Sequence, residues 1–176
     1  MSDLFHRDVP DSFIVQVFEM MALQAPWHTY QVLTKRPSRL VNTSLLTQIL
    51  ERIGGTWPAH IWLGVSVESS AYTWRVDALR RVPVPVRFIS AEPLLGPLTL
   101  DLSGIAWLIT GAESGHGARP MDEQWVRSLR DQCIQERVAF FYKQNAVRGR
   151  KIPTPTLDGR QWIQFPNEGV IPVGAQ

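Results

Sequence analysis

Five short apolar runs in this sequence each end in side chains able to do chemistry: Thr34-Lys35-Arg36, Ser66-Val67-Glu68, Ser90-Ala91-Glu92, Thr110-Gly111-Ala112-Glu113-Ser114 and Lys143-Gln144. Three of the five carry a glutamate and two carry a lysine or arginine. Carboxylates gathered on converging strand ends raise at least one carboxyl pKa and permit proton transfer or cation binding, so Glu92 and Glu113 are the candidate catalytic pair. Lys35, Arg36 and Lys143 would balance that charge and hold a carboxylate or phosphate. Ser66, Glu68, Ser114 and Gln144 complete the candidate binding set at the same ends. Each position also has a plain structural reading: Glu68 caps a helix begun at Ser70, Glu92 is held by the geometry of Pro93, and Lys35 and Arg36 are exposed stems.

Gly111-Ala112-Glu113-Ser114-Gly115-His116-Gly117 is the most glycine-rich stretch, and glycines let backbone amides approach a ligand closely. It matches neither a phosphate-loop nor a dinucleotide fingerprint, which leaves His116 as a loop residue rather than a catalyst. Asp3, His6 and Asp8 form a small polar cluster without a second histidine at ligand spacing. It reads as a loop into the first helix, with a site role for Asp3 alone. No metal site is expected. The single cysteine, Cys133, falls on an apolar helical face and reads as a buried, inert thiol. Among the tryptophans, Trp62, Trp107 and Trp125 belong to core-facing elements, and Trp27 and Trp162 read as surface platforms.

Those strand ends need elements to position them. After Pro10, Asp11 is placed to cap a helix whose apolar stripe is Phe13, Ile14, Val17, Phe18 and Met21. Tyr30 to Thr34 is a β-rich run, followed by Pro37 at the first turn of a helix that continues through Ile53 to Gly54-Gly55. Ile61 to Val67 reads as a strand covered on both faces, and Tyr72, Val76 and Leu79 as the inward stripe of the next helix. Val86 to Ile89, Ile105 to Ile109 and Val138 to Tyr142 are the remaining strands. Between the last two, Asp122 opens a helix bearing Trp125, Val126, Leu129 and Cys133. The prolines between Ser90 and Ile105 predict a short turn or extra strand rather than a helix. Alternating strands and helices require crossover connections and hence parallel pairing. The predicted fold is therefore α/β, a partial parallel β/α barrel of about five strands that lacks its first one or two βα units. Residues 1–145 would form it, and residues 146–176 a loop and tail packing locally around Trp162.

With 176 residues, 44% hydrophobic and 19% charged, the chain can bury one core, and its apolar runs fall short of the roughly 20 residues that span a bilayer. No secretory signal opens it, and one cysteine fits a reducing, cytoplasmic setting. A formal charge of +2 with dispersed basic residues gives nucleic acid little support; the one basic cluster, Arg148-Gly149-Arg150-Lys151, reads as a solvated loop.

Six strings together resemble a phage and bacterial family named after phage gene products thirty-seven and sixty-eight, described as radical S-adenosylmethionine-like with a three-cysteine motif. They are Met1-Ser2-Asp3-Leu4-Phe5-His6, Val32-Leu33-Thr34-Lys35-Arg36-Pro37, Trp62-Leu63-Gly64-Val65-Ser66-Val67-Glu68, Ser90-Ala91-Glu92-Pro93-Leu94-Leu95-Gly96-Pro97, Gly111-Ala112-Glu113-Ser114-Gly115 through Ala118-Arg119-Pro120-Met121, and Phe141-Tyr142-Lys143-Gln144. The likeness extends from residue 1 to about Trp162. It implies a radical-enzyme-like barrel in which cysteines after the first strand hold an iron–sulfur cluster that cleaves S-adenosylmethionine. Ser66, Glu68, Glu92, Glu113 and Ser114 would line the cofactor or substrate cavity, with Lys35 or Arg36 on an anionic group. In full-length relatives the Met-Ser-Asp-Leu-Phe-His string is internal. The expectation is thus a truncated relative without cluster-dependent activity, using the iron–sulfur cluster and S-adenosylmethionine only if an upstream region supplies the cysteines. The competing expectations are an interaction module whose open barrel edge is covered by a partner or a second copy, and a cation-assisted enzyme that uses its glutamates alone.

Overall fold

The computed structural model describes residues 3–41, 43–147 and 149–166, and the chain is mixed α/β with mostly parallel strands. It divides into two compact units, Met1–Ser66 with Trp74–Phe88, and Val67–Thr73 with Ile89–Gln176. Strand neighbours follow chain order: β1 (Tyr30–Thr34), β2 (Ile61–Ser66) and the start of β3 (Arg87–Ala91) in the first unit, and the rest of β3, β4 (Trp107–Gly111), β5 (Ala139–Val147) and β6 (Arg150–Pro153) in the second. No described helix is long and apolar enough to cross a membrane.

In the first unit, α1 (Asp11–Glu19) forms because Ile14 and Phe18 recur one turn apart and both bury fully. Its buried stripe is narrower than the sequence predicts, since Phe13 is exposed. Asp11 is the first helical residue rather than the cap, which is Pro10; its carboxylate instead accepts from Arg39 Nη2 at 2.5 Å. A π-helical turn, Met20–Gln24, then buries Met21 and Ala22. β1 (Tyr30–Thr34) pairs in parallel with β2 (Ile61–Ser66), from Tyr30 opposite Ile61 to Thr34 opposite Val65. The single long helix expected after Pro37 is broken in two. Pro37–Arg39 is a 3₁₀ turn, and α2 (Ser44–Arg52) starts anew behind Thr43, whose hydroxyl accepts from Leu46 N. Gly54 and Gly55, both at positive φ, follow the end of α2, where a side chain would be strained. α3 (Trp74–Arg80) buries Val76 and Leu79, but Tyr72 is exposed because it lies in the 3₁₀ turn Ser70–Tyr72 before the helix begins. β2 is buried at all six positions. Beside it Phe18 meets the Phe5 ring at a tilt and the Trp57 ring edge to face, and Trp57 Nε1 donates to Ile61 O at 2.8 Å.

β3 (Arg87–Ala91) starts in the first unit, where Leu63 N donates to Val86 O, and ends in the second, where Val67 N donates to Ser90 O. β4 (Trp107–Gly111) runs parallel to β5 (Ala139–Val147), Trp107 opposite Ala139, until the register shifts between Thr110 and Gly111. As the prolines predict, no helix forms from Pro93 to Leu98. α4 (Glu123–Glu136) is capped by Asp122, which accepts from Gln124 N at 2.8 Å, and buries Val126, Leu129 and Cys133. β5 outruns its expected end at Tyr142 because β6 (Arg150–Pro153) returns antiparallel along its second half, Gln144 opposite Pro153. Arg148, the first residue of the basic cluster, lies outside the described residues, as do Met1 and Ser2.

The segment expected to pack only locally also joins the sheet region. After the small pair β7 (Thr156–Leu157) and β8 (Arg160–Gln161), the chain lies along β5: Tyr142 N donates to Trp162 O at 2.8 Å and Gln164 N to Phe140 O at 3.1 Å. Trp162 is accordingly buried rather than a surface platform, packed on Phe140 and covered by the Arg160 guanidinium 3.5 Å from its ring centroid.

Candidate functional site

Parallel strands deliver their C-terminal ends to one side, where the following loops carry reactive groups. In the second unit three of these ends meet at Glu92. Its Oε2 accepts from Ser90 Oγ and from Lys143 Nζ, each at 3.2 Å. The Glu92 side chain is 16% exposed and that of Lys143 48%, so the carboxylate is shielded while the ammonium reaches solvent. Ser90 is the penultimate residue of β3 and Glu92 lies just beyond its end, close enough in sequence for the hydroxyl to reach the carboxylate. Gly111 makes the meeting possible: a Cβ there would stand 2.9 Å from Gln144 Cγ and 3.0 Å from Glu92 Oε1. Gln144 fastens the end of β4 to β5 in both directions, its carbonyl accepting from Ala112 N and its side-chain amide donating to Ala112 O.

Glu113, the other candidate catalyst, is engaged elsewhere. Arg119 grips it with Nε and Nη2 at 2.8 Å each, and Arg119 N adds a third bond at 3.0 Å. The Arg119 side-chain hydrogen bonds, helped by its backbone N–H, hold the Glu113 carboxyl down at about 2. The upward shift expected from crowded carboxylates is reversed there, because a guanidinium is nearer than any second acid. Ser114 is exposed on the loop beyond, and Glu68 is buried, its carbonyl accepting from Leu95 N.

The first unit gathers a separate group. The Asp3 carboxylate accepts from Thr34 Oγ1 at 2.8 Å, from Phe5 N and Lys35 N at 2.9 Å each, and from Arg36 Nη1 at 3.2 Å. Burial opposes its ionisation, but the bonds from Lys35 N, Thr34, Phe5 N and Arg36 outweigh that and hold the carboxyl below its ordinary value. With every lone-pair direction used, Asp3 is a clasp between the first loop and the end of β1. Ser66 is buried, its carbonyl accepting from Arg75 Nη1 at 2.8 Å.

Of the residues singled out from sequence, then, Glu92, Lys143 and Gln144 converge, Asp3 and Arg36 pair with each other, and Glu113 and Ser114 stand on a loop of their own. Sequence reading missed Ser90, Arg119 and Thr34 as partners. Only Ser90 carried a local signal, its place two residues before Glu92 at the end of a strand. Among the described residues no group of three or more His, Cys, Asp or Glu is placed to hold a metal ion.

No curated protein and no solved structure matches the chain. Residues 1–166 match the family described as "Protein of unknown function (DUF5131)", which takes in both units and every strand-end group above; the chain belongs to that family.

Proposed function

We propose that the group around Glu92 and Lys143 binds a small polar ligand, and that the chain is a radical S-adenosylmethionine-like protein of the phage family named after gene products thirty-seven and sixty-eight, built on a partial parallel barrel and working in the cytoplasm. One arrangement supports the reading: a shielded carboxylate just past the end of β3 tied at 3.2 Å to a half-exposed ammonium on β5, across the end of the intervening β4. A ligand carrying both an amino group and a carboxylate can replace that internal pair with two charge-assisted bonds, the amine to Glu92 and the carboxylate to Lys143. The methionine end of S-adenosylmethionine has this chemistry. When bound, that cofactor supplies an activated carbon–sulfur bond, while Glu92 and Lys143 orient it.

An iron–sulfur cluster does not fit the residues of this chain. Such clusters take several thiolates, and the single cysteine lies in the apolar face of α4, where burial pushes its thiol well above the ordinary value. The proposed activity is therefore ligand binding, without cluster-dependent turnover. Calorimetric titration with S-adenosylmethionine tests it. Saturable binding that weakens about tenfold in Glu92→Gln and in Lys143→Met is expected. Absence of binding by the unaltered chain, or binding by both variants as tight as that of the unaltered chain, overturns the proposal.

A second reading, an interaction module, has its own support in the first unit. β2 is buried throughout, but β1 at the end of the strand order alternates between half-buried and exposed, with Leu33 40% exposed. Phe13, Met20, Leu23 and Trp27 add exposed apolar surface in the same unit. A protein partner or second copy pairing with β1 would cover it. Light scattering that returns a clean monomer without apolar-dye binding counts against this reading.

A further inference from the structure

α3 has two faces, and the second is not an ordinary solvated one. Arg75, Val76 and Leu79 turn inward, while Trp74, Asp77, Ala78 and Arg81 follow the i, i+3, i+4, i+7 spacing that puts residues on one side of a helix. That side faces Ser38 and Val41 across a cavity of about 440 Å³, within the range of small-molecule sites. Ala78 leaves the middle of this face low, so the larger side chains at either end stand as walls.

The indole of Trp74 is 48% exposed, and it is braced rather than loose. The Arg75 guanidinium, itself buried and anchored to Ser66 O at 2.8 Å, lies 5.9 Å from its ring centroid. The charges at the cavity do not cancel. Asp77 is taken by Arg80 Nη1 at 2.6 Å, whereas Arg81 has no ion-pair partner among the described residues. The first unit as a whole carries nine Lys and Arg against six Asp and Glu. A fixed aromatic plane, an uncommitted guanidinium and the Ser38 hydroxyl around one cavity are complementary to a flat ring attached to an anion.

We propose that this cavity binds a nucleotide unit, its base stacked on Trp74 and its phosphate held by Arg81 and Ser38. The unit is either a free nucleotide or one residue of a single strand, and salt dependence separates the two. The test measures binding of adenosine monophosphate by calorimetry and of a short labelled oligodeoxyadenylate by anisotropy, on the full chain and on Trp74→Ala, Arg81→Gln and Trp27→Ala. Trp27 is 74% exposed and lies outside the cavity, so its variant controls for loss of any surface indole. At least one probe is expected to bind, about tenfold more weakly in Trp74→Ala and in Arg81→Gln and unchanged in Trp27→Ala. Tighter, salt-sensitive binding of the oligonucleotide identifies a strand; binding of the monophosphate alone identifies a free nucleotide. The proposal falls if neither probe binds, if Trp27→Ala matches Trp74→Ala, or if inorganic phosphate displaces the nucleotide while Trp74→Ala has no effect.

Discussion

Glu92 and Glu113 follow neighbouring strands, yet their electrostatic company differs in kind. Glu113 shares two parallel bonds with a guanidinium, whereas Glu92 meets a hydroxyl and an ammonium. A carboxyl held at about 2 is ionised through the whole physiological range and is a poor proton acceptor. Carbon-detected titration should find Glu113 at about 2, and Arg119→Ala should return it toward 4.5, its ordinary value; an unchanged midpoint would show that the clasp does not form. Asp3 makes a different prediction because it is mostly buried. Asp3→Ala leaves Thr34 Oγ1 and two backbone N–H groups without their acceptor, and denaturant unfolding at pH 7 should show a loss of about 2 kcal/mol. Since the folded carboxyl lies below 3.8, its contribution is fully present above pH 3.8. It fades as pH falls through the lower folded value, so the variant and the unaltered chain should converge in stability in strong acid.

At the scale of elements, the central strands were legible because burial on both faces leaves an unbroken apolar run, as in β2, and α4 because Asp122 caps it locally. The helix boundaries were less so. Pro37 fits a first helical turn, but whether that turn propagates depends on what packs against the next one, and here Thr43 starts the helix afresh. Gly64 was legible only as part of a string. Its role is spatial: a Cβ at that position would lie 2.3 Å from the Phe88 ring, which is itself 2% exposed. Gly64→Ala should therefore lower stability by about 1–3 kcal/mol through overpacking, and Phe88→Leu should restore part of it in the double variant. Additive losses in thermal unfolding would mean that the two positions do not press on each other.

For the molecule as a whole, the last described segment matters more than its proline-punctuated sequence suggests. Trp162 and Gln164 exchange backbone bonds with Tyr142 and Phe140, so the edge of β5 is covered. Trp162→Ala should cost about 3–5 kcal/mol and speed hydrogen exchange at the Tyr142 amide, which donates to Trp162 O. Exchange at Tyr142 as slow as in the unaltered chain would show that the strand edge is protected by something else. The sequence by itself determined the alternation of strands and helices, the identity of the buried strands, the interior position of Cys133 and the list of polar residues at the strand ends. Each of these follows from local spacing or from the demand that apolar runs leave water. Only the tertiary structure decided which of those polar groups meet. Glu92 finds Lys143 from 51 residues away, and Gly111 keeps their junction clear after a register shift in β4 and β5. It also decided that Trp162 is covered while Trp74 stands open beside a cavity. Partnership between distant side chains is set by register, bulges and turn geometry, and these are fixed by packing across the sheet rather than by any short stretch of sequence.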